Sequence, residues 1–167
     1  MGTEIRRIRA DEWPELRRLR LEALHDAPLA FGSTYERDAA MADVDWQRWA
    51  GEAAAWRDQV IFIAATDGRW VAMARGSVSR DESGAAYPTA VYVDPAFRGR
   101  GLGRAVSARV IAWARERGVR RLLLHVADWD VAARRTYESL GFVTTGATEP
   151  LPHDPSITEH AMVLDLR

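Results

Sequence analysis

The sequence predicts a single α/β domain built on a mixed, mostly antiparallel sheet with helices on both faces. Two patterns lead to this fold class. Apolar residues recur at helical spacing in some segments and form short apolar runs in others, and the two kinds of segment succeed one another along the chain. Three of the strand-like runs are joined by tight turns, which predicts an antiparallel meander. We expect one domain over residues 1–167, a length that suffices for one core.

Local signals set the expected boundaries. Asp11 can cap the first helix, and Asp67-Gly68 is typical of a hairpin turn. Trp46, Trp49 and Trp56 are spaced so that they share one face of the second helix. In chain order we expect a strand at 5–8, a helix at 11–25, a loop at 29–35, a helix at 44–56, strands at 60–65, 70–78 and 87–93, a helix that ends at Gly118, a central strand at 121–126, a helix at 130–140, a strand at 142–145, a loop at 149–156 and a strand at 159–166.

The composition excludes several classes of protein. With 23 basic and 24 acidic residues the net charge is −1, so there is no basic excess to drive sequence-independent binding of nucleic acid. The absence of cysteine excludes disulfides, thiolate metal sites and a cysteine nucleophile, and we expect no bound metal. No secretory signal and no apolar run of membrane length is visible, so we expect a cytoplasmic protein. A homodimer is left open.

The most specific motif is the loop Arg98-Gly99-Arg100-Gly101-Leu102-Gly103, which follows a strand and opens a helix. Glycine permits positive φ angles and close approach of a ligand to the backbone. The first N–H groups of a helix have no partner within it, and the helix dipole favours an anion there. Arg98 and Arg104 add positive charge, so the pattern predicts a phosphate-binding loop.

Three other interpretations of the loop fit less well. A P-loop requires Gly-Lys-Ser or Gly-Lys-Thr, whereas Gly103 is followed by Arg104-Ala105. The dinucleotide fingerprint requires G-x-G-x-x-G after a first strand, whereas these glycines alternate and follow a long meander. A glycine-rich turn without a ligand does not require three alternating glycines flanked by arginines.

The loop resembles the coenzyme-A loop of the GCN5-related N-acetyltransferase superfamily, whose signature is Arg or Gln, two residues, Gly, one residue, and Gly or Ala. Arg98, Gly101 and Gly103 match it, and Val93-x-Pro95 fits the strand end that precedes it. The segment 124–142 resembles the family's other half-site, in which a strand precedes a helix that carries alanine and tyrosine and ends at Gly-Phe. The order of elements agrees along nearly the whole chain.

The resemblance implies an acyl-CoA-dependent N-acetyltransferase, in which a primary amine attacks acetyl-CoA directly in a ternary complex. It implies a backbone N–H near Val93 as the oxyanion donor and Tyr137 as the proton donor to the leaving thiolate. Asp130 departs from the usual Asn and can only accept hydrogen bonds when ionised, so a helix cap alone and a contact to the coenzyme both stay open. The residues implied in coenzyme binding are Val91, Val93, Arg98, Gly99, Arg100, Gly101, Leu102, Gly103, Arg104 and Asp130.

The general base is not identified. Many members of the family carry a Glu on the strand before the loop, but residues 85–93 contain no Glu or Asp. His125, on a predicted central strand, is more typical of a core histidine than of a base, and a relay of waters would also serve. Candidates by chemistry alone are Glu36, His125, Asp128, His153, Asp154 and Glu159.

Two loops, at 28–36 and 150–156, are expected to shape the acceptor site. If they close over it, the acceptor is a small molecule or an exposed chain end rather than a lysine within a folded protein. The alternatives are that both are ordinary surface loops, and that the protein is a non-catalytic acyl-CoA-binding module of the same fold. The side chains that could narrow the site are Phe31, Tyr35, His153 and Asp154.

Overall fold

The structure is a computed structural model that describes residues 2–167. Its strands are β1 (Thr3–Arg7), β2 (Gln59–Thr66), β3 (Arg69–Val78), β4 (Ala85–Val93), β5 (Arg121–Ala127), β6 (Val143–Leu151) and β7 (Asp154–Asp165), and its α-helices are α1 (Trp13–Asp26), α2 (Tyr35–Ala39), α3 (Asp43–Ala54), α4 (Leu102–Glu116) and α5 (Val131–Ser139). The strands form one sheet in the order β1-β2-β3-β4-β5-β7-β6. Only the β4–β5 pair is parallel among these described strands, which confirms the predicted fold class.

Two hydrophobic cores lie on opposite faces of the sheet. Helices α1 and α3 cover one face, where Trp46 packs with Ile63. Helix α4 covers the other face, where Trp113 packs with Phe62. Phe62 and Ile63 enter different cores because successive side chains of a strand point to opposite faces. The helices on both faces therefore follow from the apolar composition of the central strands.

Helix α4 packs tightly against the sheet at Gly76 on β3. A Cβ atom at this position would lie 2.8 Å from both Val110 Cγ1 and Trp113 Cζ3. Such distances are shorter than van der Waals contact, so only glycine fits without a shift of the helix. Gly76 thereby sets the distance between α4 and the sheet, and the glycine-rich loop leads into the first turn of this helix.

The sheet opens between β4 and β5. These parallel strands pair only at their beginnings, where Ala85 lies opposite Arg121 and Ala86 opposite Leu122. Beyond this point β4 has no partner on that side, while β5 stays paired with β7 as far as Ala127. The two strands therefore diverge and leave a gap in the middle of the sheet. The central position predicted for β5 is confirmed.

The predicted start of the first helix and end of the second are wrong. Asp11 does not cap the first helix but lies in a 3-10 turn, where the Glu12 carboxylate accepts the Arg9 N–H at 2.9 Å. Helix α3 ends at Ala54, and Trp56 lies beyond it with φ of +58°. The Trp56 ring packs edge-on against Phe62 at 5.6 Å, so tertiary packing takes this tryptophan off the helix face.

The loop predicted at 149–156 is instead a β-hairpin. Strands β6 and β7 continue to either side of a two-residue turn at Pro152-His153. Pro150 is compatible with the strand because β6 is at the edge of the sheet. The loop expected at 29–35 is largely present, but Tyr35 begins the short helix α2, which is capped by the Thr34 side chain.

Candidate active site

A β-bulge interrupts the pairing of β4 with β3 beside the gap. Met73 lies opposite Tyr92 and Arg75 opposite Thr89, so β4 has one more residue than β3 over this stretch. Ala90 accommodates the extra residue with φ of +53°, a conformation that costs a non-glycine residue roughly 1–2 kcal/mol. Because β5 has already diverged, the backbone at Ala90 and Val91 is free of a regular ladder on both sides.

The glycine-rich loop presents a row of unpaired backbone donors. Gly99 and Gly101 have φ angles of +75° and +77°, and Gly101 is the N-cap of α4. The first hydrogen bond of the helix runs from the Ala105 N–H to the Gly101 carbonyl at 3.0 Å. Within residues 2–167, the N–H groups of residues 99–104 donate no hydrogen bond. They lie at the positive end of the α4 dipole and form an anion site.

Arg98 is held in place by protein partners. Its Nε donates to the Val93 carbonyl at 3.0 Å, and its Nη2 donates to Asp26 Oδ2 at 2.7 Å. Asp26 is the last residue of α1 and also accepts the Tyr92 hydroxyl at 3.1 Å. Arg98 therefore fastens the loop to β4 and α1, and its half-exposed guanidinium still contributes positive charge beside the loop.

The other two arginines of the loop differ from each other. The Arg104 Nε donates to Ser139 Oγ at 3.3 Å, which connects α4 to the end of α5. Arg100 packs over the Phe97 ring at 5.0 Å and is not one of the residues that line the cavity described next. Of the two, only Arg104 is placed beside a ligand of the loop.

A cavity of about 520 Å³ lies between this loop, the end of β4 and α5. It joins the two sequence motifs, because α5 and the loop form facing walls. Arg100 is the one predicted site residue that is not part of its wall. The ten predicted residues that line it are Val91, Val93, Arg98, Gly99, Gly101, Leu102, Gly103, Arg104, Asp130 and Tyr137.

Asp130 is a helix cap that also borders this cavity. Its Oδ1 accepts the Ala133 N–H at 3.1 Å at the start of α5. The same carboxylate lies in the cavity wall. The cap is thus present, and it leaves the second oxygen able to accept a further hydrogen bond.

Tyr137 lies where α5 faces the gap in the sheet. Its ring packs edge-on against Phe142 at 5.7 Å, and its hydroxyl has no hydrogen-bond partner in the described part of the chain. Burial raises the pKa of Tyr137 well above its usual range, and the nearby Asp130 carboxylate adds to the rise. The hydroxyl is therefore protonated at neutral pH and available as a donor.

A second cavity of about 480 Å³ lies on the α1 and α3 side of the gap. Its wall shares Ala30, Phe31, Val91 and Tyr137 with the first cavity, so the two meet at the gap. The stretches predicted to shape an acceptor site both border it and touch each other. His153 Nε2 in the β6–β7 turn lies 3.0 Å from the Pro28 carbonyl.

An acidic cluster borders the second cavity. Glu149 and Glu159 lie opposite each other on β6 and β7, and His125 Nε2 is 3.4 Å from Glu149 Oε1. Burial raises the pKa of Glu159; Glu149 adds to the rise, whereas His125 and His153 oppose it. The interpretation of His125 as a core histidine is wrong, because the diverging strands leave its side of β5 open.

The remaining candidate bases have other partners or positions. Asp128 pairs with His160 at 2.7 Å, and Asp154 accepts hydrogen bonds from Ser156, which lower the pKa of Asp154. Glu36 is exposed on α2. None of Asp128, Asp154 or Glu36 belongs to the wall of the second cavity as described.

Tyr35 also lies elsewhere. It packs against His25 at 6.1 Å and is 41% exposed, so it does not narrow the acceptor cavity.

Sequence reasoning missed three features of the second cavity: Arg20, Arg75 and the bulge at Ala90. An arginine within the apolar run 70–78 was a usable signal for Arg75. Arg20 lies among helical residues with no such contrast. Alanine gives no sign of a positive φ angle, so the bulge had no sequence signal at all.

Residues 2–167 contain no group of three or more His, Asp or Glu side chains placed to hold a metal ion. None of the helices described is long and apolar enough to cross a membrane.

Fold and site together define a class of α/β proteins with a split sheet, in which a glycine-rich loop at a helix N-terminus faces a cavity that runs through the split. The chain belongs to the acetyltransferase (GNAT) family, whose profile matches residues 6–142. The family expected from the two motifs is thereby confirmed.

Curated relatives match part of the chain. The mycothiol acetyltransferase of Thermomonospora curvata is 36% identical over 109 residues, which cover 62% of this chain and 36% of that protein. The N-acetylaspartate synthetase of Danio rerio is 34% identical over 87 residues, which cover 48% of this chain and 31% of that protein. The matches therefore span about a third of the length of these relatives.

Solved structures share the fold over nearly the whole chain. The structure of yncA from Salmonella typhimurium with its cofactor acetyl-CoA has a TM-score of 0.83 at 22% identity, and the match covers 100% of this chain and 95% of that one. A GCN5-related N-acetyltransferase from Kribbella flavida has a TM-score of 0.77 at 23% identity, with 98% of each chain covered. At such identities the likeness establishes the fold.

Proposed function

We propose that this protein is an acetyl-CoA-dependent N-acetyltransferase whose acceptor is a primary amine on a small molecule or an exposed chain end. One observation carries the proposal: two cavities meet at Val91 and Tyr137, one bordered by unpaired loop amides and the other by carboxylates. The names of the relatives, a mycothiol acetyltransferase and an N-acetylaspartate synthetase, agree with a small acceptor.

The residues of the first cavity fit coenzyme A. The unpaired N–H groups of residues 99–104 suit a pyrophosphate, and Arg98 and Arg104 add positive charge beside it. The unpaired edge of β4 suits the amide groups of the coenzyme's arm, which would run along the gap like an added strand. When bound, the coenzyme supplies the acetyl group as a thioester. The cytoplasmic location of the protein stays a prediction from the sequence.

The chain's own donors lie where the two cavities meet. Backbone N–H groups at Ala90 and Val91 are the proposed donors to the acetyl carbonyl oxygen, in place of the one expected near Val93. The bulge takes Ala90 and Val91 out of the β3 register, whereas Val93 stays paired with Ala72. Tyr137 is the proposed donor to the thioester sulfur. A thiol titrates near pH 8.5, below the raised pKa of Tyr137, so the hydroxyl acts chiefly by donating a hydrogen bond that stabilises the departing thiolate.

Glu159 is the proposed general base, which takes the proton from the acceptor amine. It borders the second cavity beside Glu149 and His125, and its raised pKa brings it closer to neutral pH, where a general base is most effective. The neighbouring Glu149 would also attract a cationic amine into the cavity. This assignment moves the base from β4, where many members of the family carry it, to β7.

The test is a thiol-release assay with acetyl-CoA and a panel of small amines, peptides with free N-termini and folded proteins. The chain contains no lysine, so acetylated lysine in the assay comes only from an added acceptor. We expect turnover of small amines or chain ends, with kinetics that require both substrates to bind before thiol is released.

Two outcomes would overturn this function. Acetyl-CoA binding without thiol release on any acceptor would identify a non-catalytic acyl-CoA-binding module. Acetylation confined to internal lysines of folded proteins would refute the small-acceptor part of the proposal, since such acceptors require an open groove and not a closed cavity.

A further inference from the structure

The second cavity contains an arginine that forms no ion pair with the described part of the protein. Arg75 lies on β3 among buried residues, and its Nε donates to Gln59 Oε1 at 3.0 Å. It forms no ion pair with any residue in the range 2–167, and its two terminal nitrogens donate no hydrogen bond there. Arg75 lines the cavity, so these terminal donors face the space that an acceptor would fill.

A second arginine stands beside it. Arg20 on α1 is only 8% exposed and donates from Nε to Asp38 Oδ2 at 2.9 Å. Asp38 is already shared with Ser33, whose hydroxyl donates at 2.6 Å. Both guanidinium groups lie 5.8 Å from the centre of the same Trp49 ring, which brings the two cations to one part of the cavity. Asp38 therefore pairs with Arg20 alone, and the Glu52 carboxylate is linked to Arg75 only through the side chain of Gln59.

The unpaired charge has an energetic consequence. Burial lowers the pKa of Arg75 and the positive charge of Arg20 lowers it further, whereas the charge of Glu52 opposes both effects in part. A buried cation without a partner is unfavourable, and a planar guanidinium with two free nitrogens matches the two oxygens of a carboxylate. An anionic ligand would thus relieve the repulsion between the two arginines.

The other end of the cavity has the opposite charge. Glu149 and Glu159 approach the gap from β6 and β7, on the same face of the sheet as Arg75. Arg75 pairs with Thr89, two residues before Val91, so its backbone starts about 8 Å from Val91 by ordinary strand spacings. The cavity that these residues share has a volume of about 480 Å³, which leaves room for a molecule of about the size of an amino acid.

We infer that the acceptor is a small amino carboxylate, whose carboxylate binds Arg75 with Arg20 alongside while its amine faces Glu159 at the gap. The inference rests on the proposed acetyltransferase function and adds the chemical class of its acceptor. The charge separation along the cavity orients the molecule, since the reversed pose would set its amine against two guanidinium groups and its carboxylate against two glutamates.

The experiment compares matched acceptors that differ only at the anionic group. The probes are the common amino acids, each tested beside its amide and its decarboxylated amine, for example leucine, leucinamide and 3-methylbutylamine. We expect kcat/KM for the acid to exceed that for both partners by about tenfold to a hundredfold, the range of a hydrogen-bonded charge pair. The amide is less basic and more available as a free amine at neutral pH, so the comparison is biased against this result.

Variants separate recognition from folding. In Arg75→Met the preference for the acid over the amide should vanish, because the KM for the acid rises while its kcat changes little. Turnover of the amide and the Kd for acetyl-CoA should also change little. Arg75→Lys should restore part of the preference, because the charge is kept and the two-pronged geometry is lost. Arg57→Met, at an exposed position outside both cavities, is the charge control and should behave like the wild type.

The relative turnover of acids, amides and amines tests the carboxylate-binding role of Arg75. Turnover of amides or simple amines at least as efficient as that of the acids would refute the amino carboxylate and leave the acetyltransferase standing. The same conclusion would follow if Arg75→Met kept the acid preference. If no acceptor is turned over, calorimetric titration of the amino acids into the acetyl-CoA complex still decides: Arg75-dependent binding supports the carboxylate site, and absence of binding refutes it.

Discussion

Replacing Gly101 with alanine should weaken acetyl-CoA binding by about 5- to 30-fold while leaving the fold intact, if residues 99–104 bind the coenzyme. Gly101 is the N-cap of α4 with φ of +77°, and a Cβ atom there would meet no other atom within 4 Å. The effect is therefore conformational and not a steric clash. A left-handed conformation costs alanine roughly 1–2 kcal/mol relative to glycine.

That cost falls on binding because the loop can relax. The N–H groups of residues 99–104 have no partner in the described protein, so few contacts hold the strained conformation when the ligand is absent. If the loop leaves that conformation, the binding-competent fraction falls, and the apparent Kd rises by the same factor. A free energy of about 1.4 kcal/mol corresponds to a tenfold change, which gives the range stated.

The assay is calorimetric titration of acetyl-CoA, with thermal unfolding measured in parallel. Gly68→Ala is the matched control: Gly68 has φ of +79° in the turn between β2 and β3, and a Cβ atom there would also meet nothing within 4 Å. Gly68→Ala should lose thermal stability because of the strained alanine, while its Kd for acetyl-CoA should stay that of the wild type. A wild-type Kd for Gly101→Ala, or an equal loss of affinity in Gly68→Ala, would show that the loop does not bind the coenzyme in this conformation.

Three further predictions test the site and the packing. Tyr137→Phe keeps the ring and should lower kcat about 100-fold with the Kd for acetyl-CoA nearly unchanged; wild-type turnover would return Tyr137 to a packing role. Glu159→Gln should lower kcat/KM by about 100-fold or more and raise the melting temperature slightly at pH 7. The pKa of Glu159 is higher in the folded than in the unfolded protein, so its ionisation costs stability as the pH rises from the unfolded pKa through the folded one. The gain in melting temperature should disappear below about pH 4, where the carboxyl is protonated in both states, and a gain that does not change with pH would contradict this explanation. Gly76→Ala should destabilise the protein by about 1–3 kcal/mol, because the added Cβ would contact Trp113. Gly51→Ala, at an unobstructed site in α3, should instead stabilise it by up to about 1 kcal/mol. Chemical denaturation of the two variants measures the difference, and equal stabilities would refute the close packing of α4.

Much of the architecture was predictable because it depends on local signals. Gly118 ends α4 with φ of +70°, as its position after an apolar helical stripe predicts. The Asp67-Gly68 turn joins β2 to β3, since few residues other than glycine accept its positive φ angle. Errors arose where packing or pairing with a neighbouring element overrode the local pattern: Trp56 packs against Phe62 of β2, and residues 149–156 pair as the hairpin of β6 and β7.

The sequence by itself determined the phosphate-type loop and the tyrosine helix, because each consists of residues within one short segment whose backbone conformation the glycines and caps dictate. Tertiary structure alone decided how these parts become a site. The divergence of β4 from β5, the bulge at Ala90 and the meeting of Arg75 with Arg20 all depend on pairing between segments that are far apart in the chain. Such pairing is chosen by the packing of the two cores and not by any one segment, so the acceptor cavity and its separated charges emerge only in the folded protein.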